Sequence, residues 1–101
     1  MYQFTTPTIT IKIPQDVSVG SIDSLAVVIQ QDDIKLVKNL LSCILEPDDN
    51  TITITLSQQE TGDFKPGTIY VQAHILVGNT AYATQIMKAD IFRNIHGEVI
   101  A

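Results

Sequence analysis

The side chains of this 101-residue chain that could do chemistry are one cysteine, two histidines and two short acidic clusters. A thiol becomes a nucleophile when a base lies beside it. Cys43 stands between Ser42 and Ile44 in a segment with strand character, where a free cysteine usually behaves as a small apolar side chain. We therefore expect Cys43 in the core and no catalytic nucleophile.

A metal site would need several ligands that converge on one point. We expect His74 to be an outward-facing strand residue and His96 to lie in a solvated tail. The segment 46–50 (EPDDN) carries oxygen ligands of the kind that Ca²⁺ prefers, but its spacing matches no calcium loop. Proline, aspartate and asparagine together favour a plain turn there, and the same holds for Asp32-Asp33. The sequence thus predicts no catalytic, cofactor or metal site.

The elements that would position these side chains are mostly β-strands. Strict polar–apolar alternation over Thr8–Ile13 and Thr51–Leu56 is typical of half-buried strands. Gly78-Asn79 has the composition of a two-residue hairpin loop. The predicted strands are Thr8–Ile13, Leu25–Gln31, Ile34–Lys38, Leu41–Leu45, Thr51–Leu56, Thr68–Val77 and Thr80–Ile91.

A polar stretch near residues 57–63 predicts one short helical crossover turn between two of these strands. Ser57 and Glu60 have the spacing of a capping box, which marks a helix start. Gly62 would let the chain leave the helix. Phe64 is the only large apolar side chain of this crossover, so we expect it to fill the core beneath the turn.

These elements predict an all-β, immunoglobulin-like sandwich of about six or seven strands. We expect a single domain over residues 1–101, with a flexible lead at 1–7 and a docked or irregular tail at 92–101. The residues expected to form the core are Ile9, Ile11, Val27, Ile29, Ile52, Ile54, Leu56, Phe64, Ile69, Val71 and Ile75.

The overall composition limits the kinds of partner and the cellular compartment that we expect for this chain. The formal net charge is −5, so nucleic-acid phosphates would be repelled. The apolar runs are too short to cross a membrane, and the N-terminus MYQFTTPTIT lacks the basic and apolar regions of a secretion signal. A single cysteine forms no internal disulfide, which suits synthesis in a reducing cytoplasm.

A longer motif runs through the second half of the chain. Its positions are Leu56-Ser57, Glu60-Thr61, Phe64, Pro66-Gly67, Val71-Gln72, Ala83-Thr84-Gln85-Ile86 and Val99-Ile100. With them, the chain from about Thr8 onward resembles the N-terminal domain of phage baseplate upper proteins, which also occurs as short free-standing proteins in prophages of Gram-positive bacteria. Gly97-Glu98 reverses the usual order of that family, and this departure bears on the conformation of the tail.

The resemblance implies a function without catalysis. It implies a structural or adaptor protein of a phage or prophage tail or baseplate, which works by docking to other tail or baseplate proteins. It further implies synthesis in the bacterial cytoplasm and incorporation in the virion. A repeated, homo-oligomeric arrangement would follow from the symmetry of such a particle.

A docking function needs a contact surface, and tyrosine and phenylalanine are enriched in contact cores. We expect this surface to include Tyr70, His74, Leu76, Tyr82 and Phe92, although some of them could instead cover the sandwich or its open end. A carbohydrate-binding module for the host cell wall is the alternative; it would need an aromatic platform, and the chain has no tryptophan. An enzyme or metal-dependent regulator would need converging polar groups, of which the sequence shows no pattern.

Overall fold

The computed structural model describes residues 1–101 as two antiparallel β-sheets that face each other. The strands are β1 Thr8–Lys12, β2 Ser24–Gln31, β3 Ile34–Asn39, β4 Ile44–Glu46, β5 Thr51–Thr55, β6 Gly67–Val77, β7 Thr80–Ala83 and β8 Met87–Ile91. One short helix, α1 (Gln58–Gly62), and two 3₁₀ turns (Val19–Ser21 and Leu40–Ser42) lie between them. None of the helices is long and apolar enough to cross a membrane.

The strand order is that of an immunoglobulin domain without its first strand. The smaller sheet has the order β1-β5-β4, which corresponds to strands B, E and D. The larger sheet has the order β3-β2-β6-β7, with β8 also paired to β6, and corresponds to strands C′, C, F and G. The expected all-β, immunoglobulin-like sandwich is confirmed, with eight strands rather than six or seven.

The core lies between the inner faces of the two sheets. Successive side chains of a strand point to opposite faces, so the alternating isoleucines of β1 and β5 meet the inward side chains of β2 and β6. All eleven residues predicted for the core are buried. The other buried apolar residues are Ile13, Val17, Val19, Leu25, Ala73 and Ile91.

Helix α1 forms over the predicted residues, and its capping box is present. The Ser57 hydroxyl accepts from the Glu60 N–H at 3.2 Å, and the Glu60 carboxylate accepts from the Ser57 N–H at 2.8 Å. The reason for a glycine at position 62 differs from the predicted one, because the φ of Gly62 is not positive. A Cβ at this position would overlap the ring of Phe4, so the close approach of that ring requires glycine.

The predicted return strand Thr80–Ile91 is interrupted by a β-bulge. The register of β7 against β6 is offset by one residue from that of β8. Gln85 and Ile86 therefore stand opposite the single residue Gln72. Thr84 holds the bulge, since its N–H donates to the carbonyl of Ala73 and its hydroxyl accepts from the N–H of Ala73, both at 3.0 Å.

The predicted strand Leu41–Leu45 starts later than expected. The side chain of Asn39 accepts from the N–H of Leu41 at 3.1 Å and caps the 3₁₀ turn that follows β3. Chain extension resumes only at Ile44, so β4 has three residues. A local side-chain hydrogen bond has here replaced the start of a strand.

Residues 1–7, expected to be a flexible lead, are fastened to the domain as a strap (the N-terminal strap). Tyr2 forms a parallel bridge with Phe92 at the end of β8. The Gln3 amide donates to the carbonyl of Phe64 at 2.7 Å, and the buried Thr61 hydroxyl donates to the carbonyl of Thr5 at 2.8 Å. The strap thus ties the crossover to the last strand.

The tail is both irregular and docked. Residues 93–101 contain no helix or strand. The side-chain amide of Gln58 in α1 nevertheless forms two hydrogen bonds with the backbone of Ile100, at 2.8 and 3.2 Å. Ile95 is 93% exposed, so the tail buries little apolar surface.

Candidate docking surface

Three of the five residues predicted for the contact surface lie together on β6. Tyr70, His74 and Leu76 alternate with buried residues and point away from the core. Tyr70 is 44% exposed and Leu76 is 38% exposed, although both are in the centre of a sheet. The strand alternation therefore brings these three side chains to one outer face.

The other two predicted residues lie elsewhere. Tyr82 pairs with the inward-facing Ile75, is half-buried and packs against the core, so its placement on the outward surface is wrong. A two-residue hairpin at Gly78-Asn79 already implies this register, and that signal could have placed Tyr82 correctly. Phe92 is half exposed, but its ring packs on Tyr2 of the N-terminal strap, with 5.5 Å between the ring centroids.

The residues around His74 and Leu76 form an uncharged area across four strands, which we call the neutral patch. The register between β2, β3, β6 and β7 places ten outward side chains there. None is acidic, lysine or arginine, and most are small or apolar. The neutral patch consists of Ser24, Ala26, Val28, Val37, Asn39, Gln72, His74, Leu76, Ala81 and Ala83.

One end of the same outer face is charged. Tyr70 stands level with Lys88 on one side and with Gln30 and Lys35 on the other. The Lys88 ammonium lies 5.9 Å from the centroid of the Tyr70 ring, within the range of a cation–π contact. A shallow depression of about 240 Å³ lies between Tyr70, Lys35 and Ile86.

The outer face of the smaller sheet has a different character, because its outward residues are mostly threonines. Thr8 and Thr55 are cross-strand neighbours with hydroxyls 3.3 Å apart, and Thr10 and Thr53 are neighbours with hydroxyls 3.4 Å apart. These hydroxyls satisfy one another within the sheet. The two outer faces of the sandwich thus differ in their chemistry.

The acidic turn at residues 46–50 has a structural role. The Glu46 carboxylate accepts from the hydroxyls of Thr51 and Thr53 at 2.9 and 3.2 Å. Asn50, at a positive φ of 52°, accepts from the N–H of Val19 at 3.0 Å. No three histidine, cysteine, aspartate or glutamate side chains in the chain are grouped so that they could hold a metal ion.

Cys43 and His96 form no shared site. Cys43 is half-buried against the core and its thiol donates to the carbonyl of Asn39 at 3.1 Å. Burial raises the pKa of the Cys43 thiol, and the positive charge of Lys38 opposes this shift with a smaller effect. His96 lies 3.6 Å from Glu98, and both side chains are largely exposed.

One ion pair of the structure is not indicated by the sequence. The ammonium of Lys38 in β3 lies 2.7 Å from the Glu60 carboxylate in α1. Burial pushes the pKa of Glu60 upward, but hydrogen bonds from Lys38 and Ser57 and the charge of Lys38 outweigh it and hold that pKa below its ordinary value. The two residues are 22 positions apart, so no local pattern indicates the pair.

A groove of about 550 Å³ opens between the two sheets, where β1 approaches the bulge after β7. Thr10 and Lys12 form one wall, and Thr84 and Met87 form the other. Both walls are edges of their sheets. The groove contains one charged side chain and no cluster of titratable groups.

The geometry therefore offers one broad outer face as the candidate site. Comparison with known proteins found no matching family model and no matching curated protein.

Proposed function

We propose that this chain is a non-enzymatic structural or adaptor protein of a phage or prophage tail or baseplate. It acts by docking to other proteins, is made in the bacterial cytoplasm and becomes part of the virion. The observation that carries the proposal is the neutral patch on the outer face of the larger sheet. The phage context comes from the resemblance of the motif that begins at Leu56-Ser57 and ends at Val99-Ile100.

The neutral patch has the properties of a contact core. Such cores are depleted in charged side chains, and aromatic residues are enriched in them. Here an area of ten outward residues without a formal charge lies beside Tyr70, on a chain whose net charge is −5. Val37 is 53% exposed, so apolar surface remains open to solvent and would be removed from it on docking.

One observation favours a second function, which is carbohydrate binding. Tyr70 borders a depression that also contains the side-chain amides of Gln30 and Gln72. Sugars stack on exposed aromatic rings, but Lys88 already lies over the Tyr70 ring. The depression therefore supports this function less well than the neutral patch supports docking.

The proposal is tested by mass spectrometry of particles purified after induction of a lysogen that carries the gene. Wild-type peptides are expected at a stoichiometric level with the tail proteins. The variant Val28→Lys, which puts a charge in the neutral patch, should fold but be depleted from the particles. Thr53→Lys is the matched control on the central strand of the other sheet and should be retained.

Two results would contradict the proposal. The first is the absence of wild-type peptides from particles when the protein is abundant in the lysate. The second is equal incorporation of Val28→Lys and Thr53→Lys. Retention of the wild type on immobilised cell wall, without incorporation in particles, would favour the carbohydrate-binding alternative.

A further inference from the structure

We propose that the outer face of the larger sheet pairs with the same face of a second copy, in a two-fold dimer whose strands run in opposite directions. This inference deepens the proposed function, because it names the first partner of the docking surface. The neutral patch is then buried between the two copies, and the dimer docks to other tail or baseplate proteins through its remaining surface. Three properties of the chain support this pairing: the distribution of its charges, the area of the face and the protection of its strand edges.

The distribution of charge permits two copies to meet through this face. The chain has eleven acidic residues, and two copies with a net charge of −5 repel each other. Asp90 is the one acidic residue that the register places on the outer face of the larger sheet. Lys35 and Lys88 lie on the same face. The register therefore leaves ten of the eleven acidic residues off this face, so the negative charge that makes two copies repel each other lies mostly outside the contact.

The area of the face is sufficient for a dimer. Four strands at a spacing of about 4.8 Å give a width of ~19 Å, and five outward residues along β6 give a length of ~33 Å. The flat area is ~600 Å² on each copy, or ~1,200 Å² for the pair, which reaches the range of stable interfaces. The other sheet has only three strands and a face of mutually bonded threonines.

Pairing through strand edges is the other route to a dimer, and each edge is protected. The bulge after Ala83 interrupts the β7–β8 edge, and β4 has only three residues. In β3 the charged Lys38 points inward, and β1 lies between Pro7 and Pro14. Short strands, bulges, inward charges and prolines all discourage strand addition.

The positions of Lys35 and Lys88 determine which relative orientation of the two faces is favourable. If the two-fold axis ran along the strands, Lys35 of one copy would approach Lys88 of the other. If the axis instead runs across the strands at the level of Val28, the strands of the two copies run in opposite directions. Residues level with Tyr70 in one copy then face residues level with His74 in the other copy. Lys88 then approaches Ala83, which is uncharged. The second arrangement separates the like charges and is the one that we propose.

The first experiment measures the mass of the full chain in solution by light scattering during size-exclusion chromatography. The wild type is expected at twice the chain mass of 11.1 kDa. Val28→Lys places two lysines together at the two-fold axis and should give the single-chain mass. Thr53→Lys should remain dimeric. Circular dichroism checks that each variant is folded. A monomeric wild type, or a folded Val28→Lys variant that stays dimeric, overturns the proposal.

The second experiment tests the orientation through Ala83, which is exposed on β7. Ala83→Glu should tighten the dimer about two- to fivefold, because the new carboxylate approaches Lys88, and Ala83→Lys should weaken it by a similar factor. With the axis along the strands, position 83 would meet the uncharged Asn39 instead. Equal dissociation constants for the two variants, measured by sedimentation, would therefore overturn the antiparallel arrangement.

These outcomes are separate from those for the proposed function. A monomer that is found in purified particles overturns the dimer and leaves the docking function standing. A dimer that is missing from particles overturns the phage role and leaves the pairing of the faces standing.

Discussion

Phe64 shows how one side chain links the crossover to the core. It is 1% exposed and is the largest of the fully buried side chains. Its backbone carbonyl also accepts from Gln3 of the N-terminal strap. The ring therefore fills space under α1 that no other side chain of the crossover can fill.

Replacement of this ring should be costly. Phe64→Ala is expected to lower the free energy of unfolding by ~3–5 kcal/mol, because it removes the buried ring and leaves a cavity. A urea titration measures this value. Phe92→Ala is the control, since the Phe92 ring is half exposed and should contribute far less. A loss below ~1 kcal/mol for Phe64→Ala would show that the ring does not fill the corner.

The thiol of Cys43 should be unreactive. Burial raises its pKa, and its proton is engaged with the carbonyl of Asn39, so little thiolate is present at neutral pH. We expect iodoacetamide to modify Cys43 more slowly at pH 7.5 than it modifies an exposed thiol. The reference is Thr10→Cys in a Cys43→Ser background, because Thr10 is exposed on β1. Equal rates would show that Cys43 is an accessible nucleophile.

At the scale of elements, the sequence predicted most of the structure that local interactions determine. The alternation in Thr51–Leu56 predicts β5 because neighbouring residues alone decide which face is apolar. The capping box predicts the start of α1 because Ser57 and Glu60 are three residues apart.

Apart from the late start of β4, which follows from a local hydrogen bond of Asn39, the elements that were wrong or missing depend on pairing at a distance. The bulge at Gln85-Ile86 arises from the offset between two registers, and alternation along one strand does not reveal it. The N-terminal strap depends on partners near residues 61, 64 and 92. Alternation along β6 is enough to predict that Tyr70, His74 and Leu76 lie on one outer face. The residues of β2, β3 and β7 that complete this face can be assigned only from the strand register.

The ion pair between α1 and β3 should make stability depend on pH. The pKa of Glu60 is lowered in the folded state, so its contribution is present above the ordinary carboxyl pKa of about 4.3 and is lost as pH falls below that value. Glu60→Gln keeps an acceptor for the capping box but removes the charge opposite Lys38. The wild type should be more stable than this variant at pH 7, and the difference should shrink toward pH 3.

Denaturant titrations at a series of pH values measure this difference. The control is Glu98→Gln, because Glu98 lies in the exposed tail beside His96. A difference between wild type and Glu60→Gln that is constant from pH 7 to pH 3 would mean that the pair with Lys38 does not stabilise the fold.

At the scale of the whole molecule, the two outer faces of the sandwich differ in the side chains that they expose. The threonine hydroxyls of the smaller sheet are satisfied within that sheet, although Ile44 on the same face is 61% exposed. The neutral patch of the larger sheet leaves apolar side chains such as Val37 open to solvent. The larger sheet therefore presents the broader apolar outer face for docking.

One of the contacts of the N-terminal strap is a close approach of the Phe4 ring to the backbone of Gly62. Phe4 has a positive φ of 58°, which is rare for a bulky residue, and the contact with α1 compensates for this strain. Gly62→Ala should therefore destabilise the protein by ~1–3 kcal/mol, because the added methyl group overlaps the ring.

The sign of this effect should reverse once the ring is gone. In a Phe4→Ala background the methyl group has room, and alanine favours a helix over glycine by ~1 kcal/mol, so Gly62→Ala should become neutral or stabilising. Denaturant titrations of the four variants form a double-mutant cycle that measures the coupling. If Gly62→Ala costs the same with and without the Phe4 ring, the two sites are not in contact and the strap is not closed onto α1. A coupling of ~1 kcal/mol or more would show that residues 1–7 are an integral part of the folded domain.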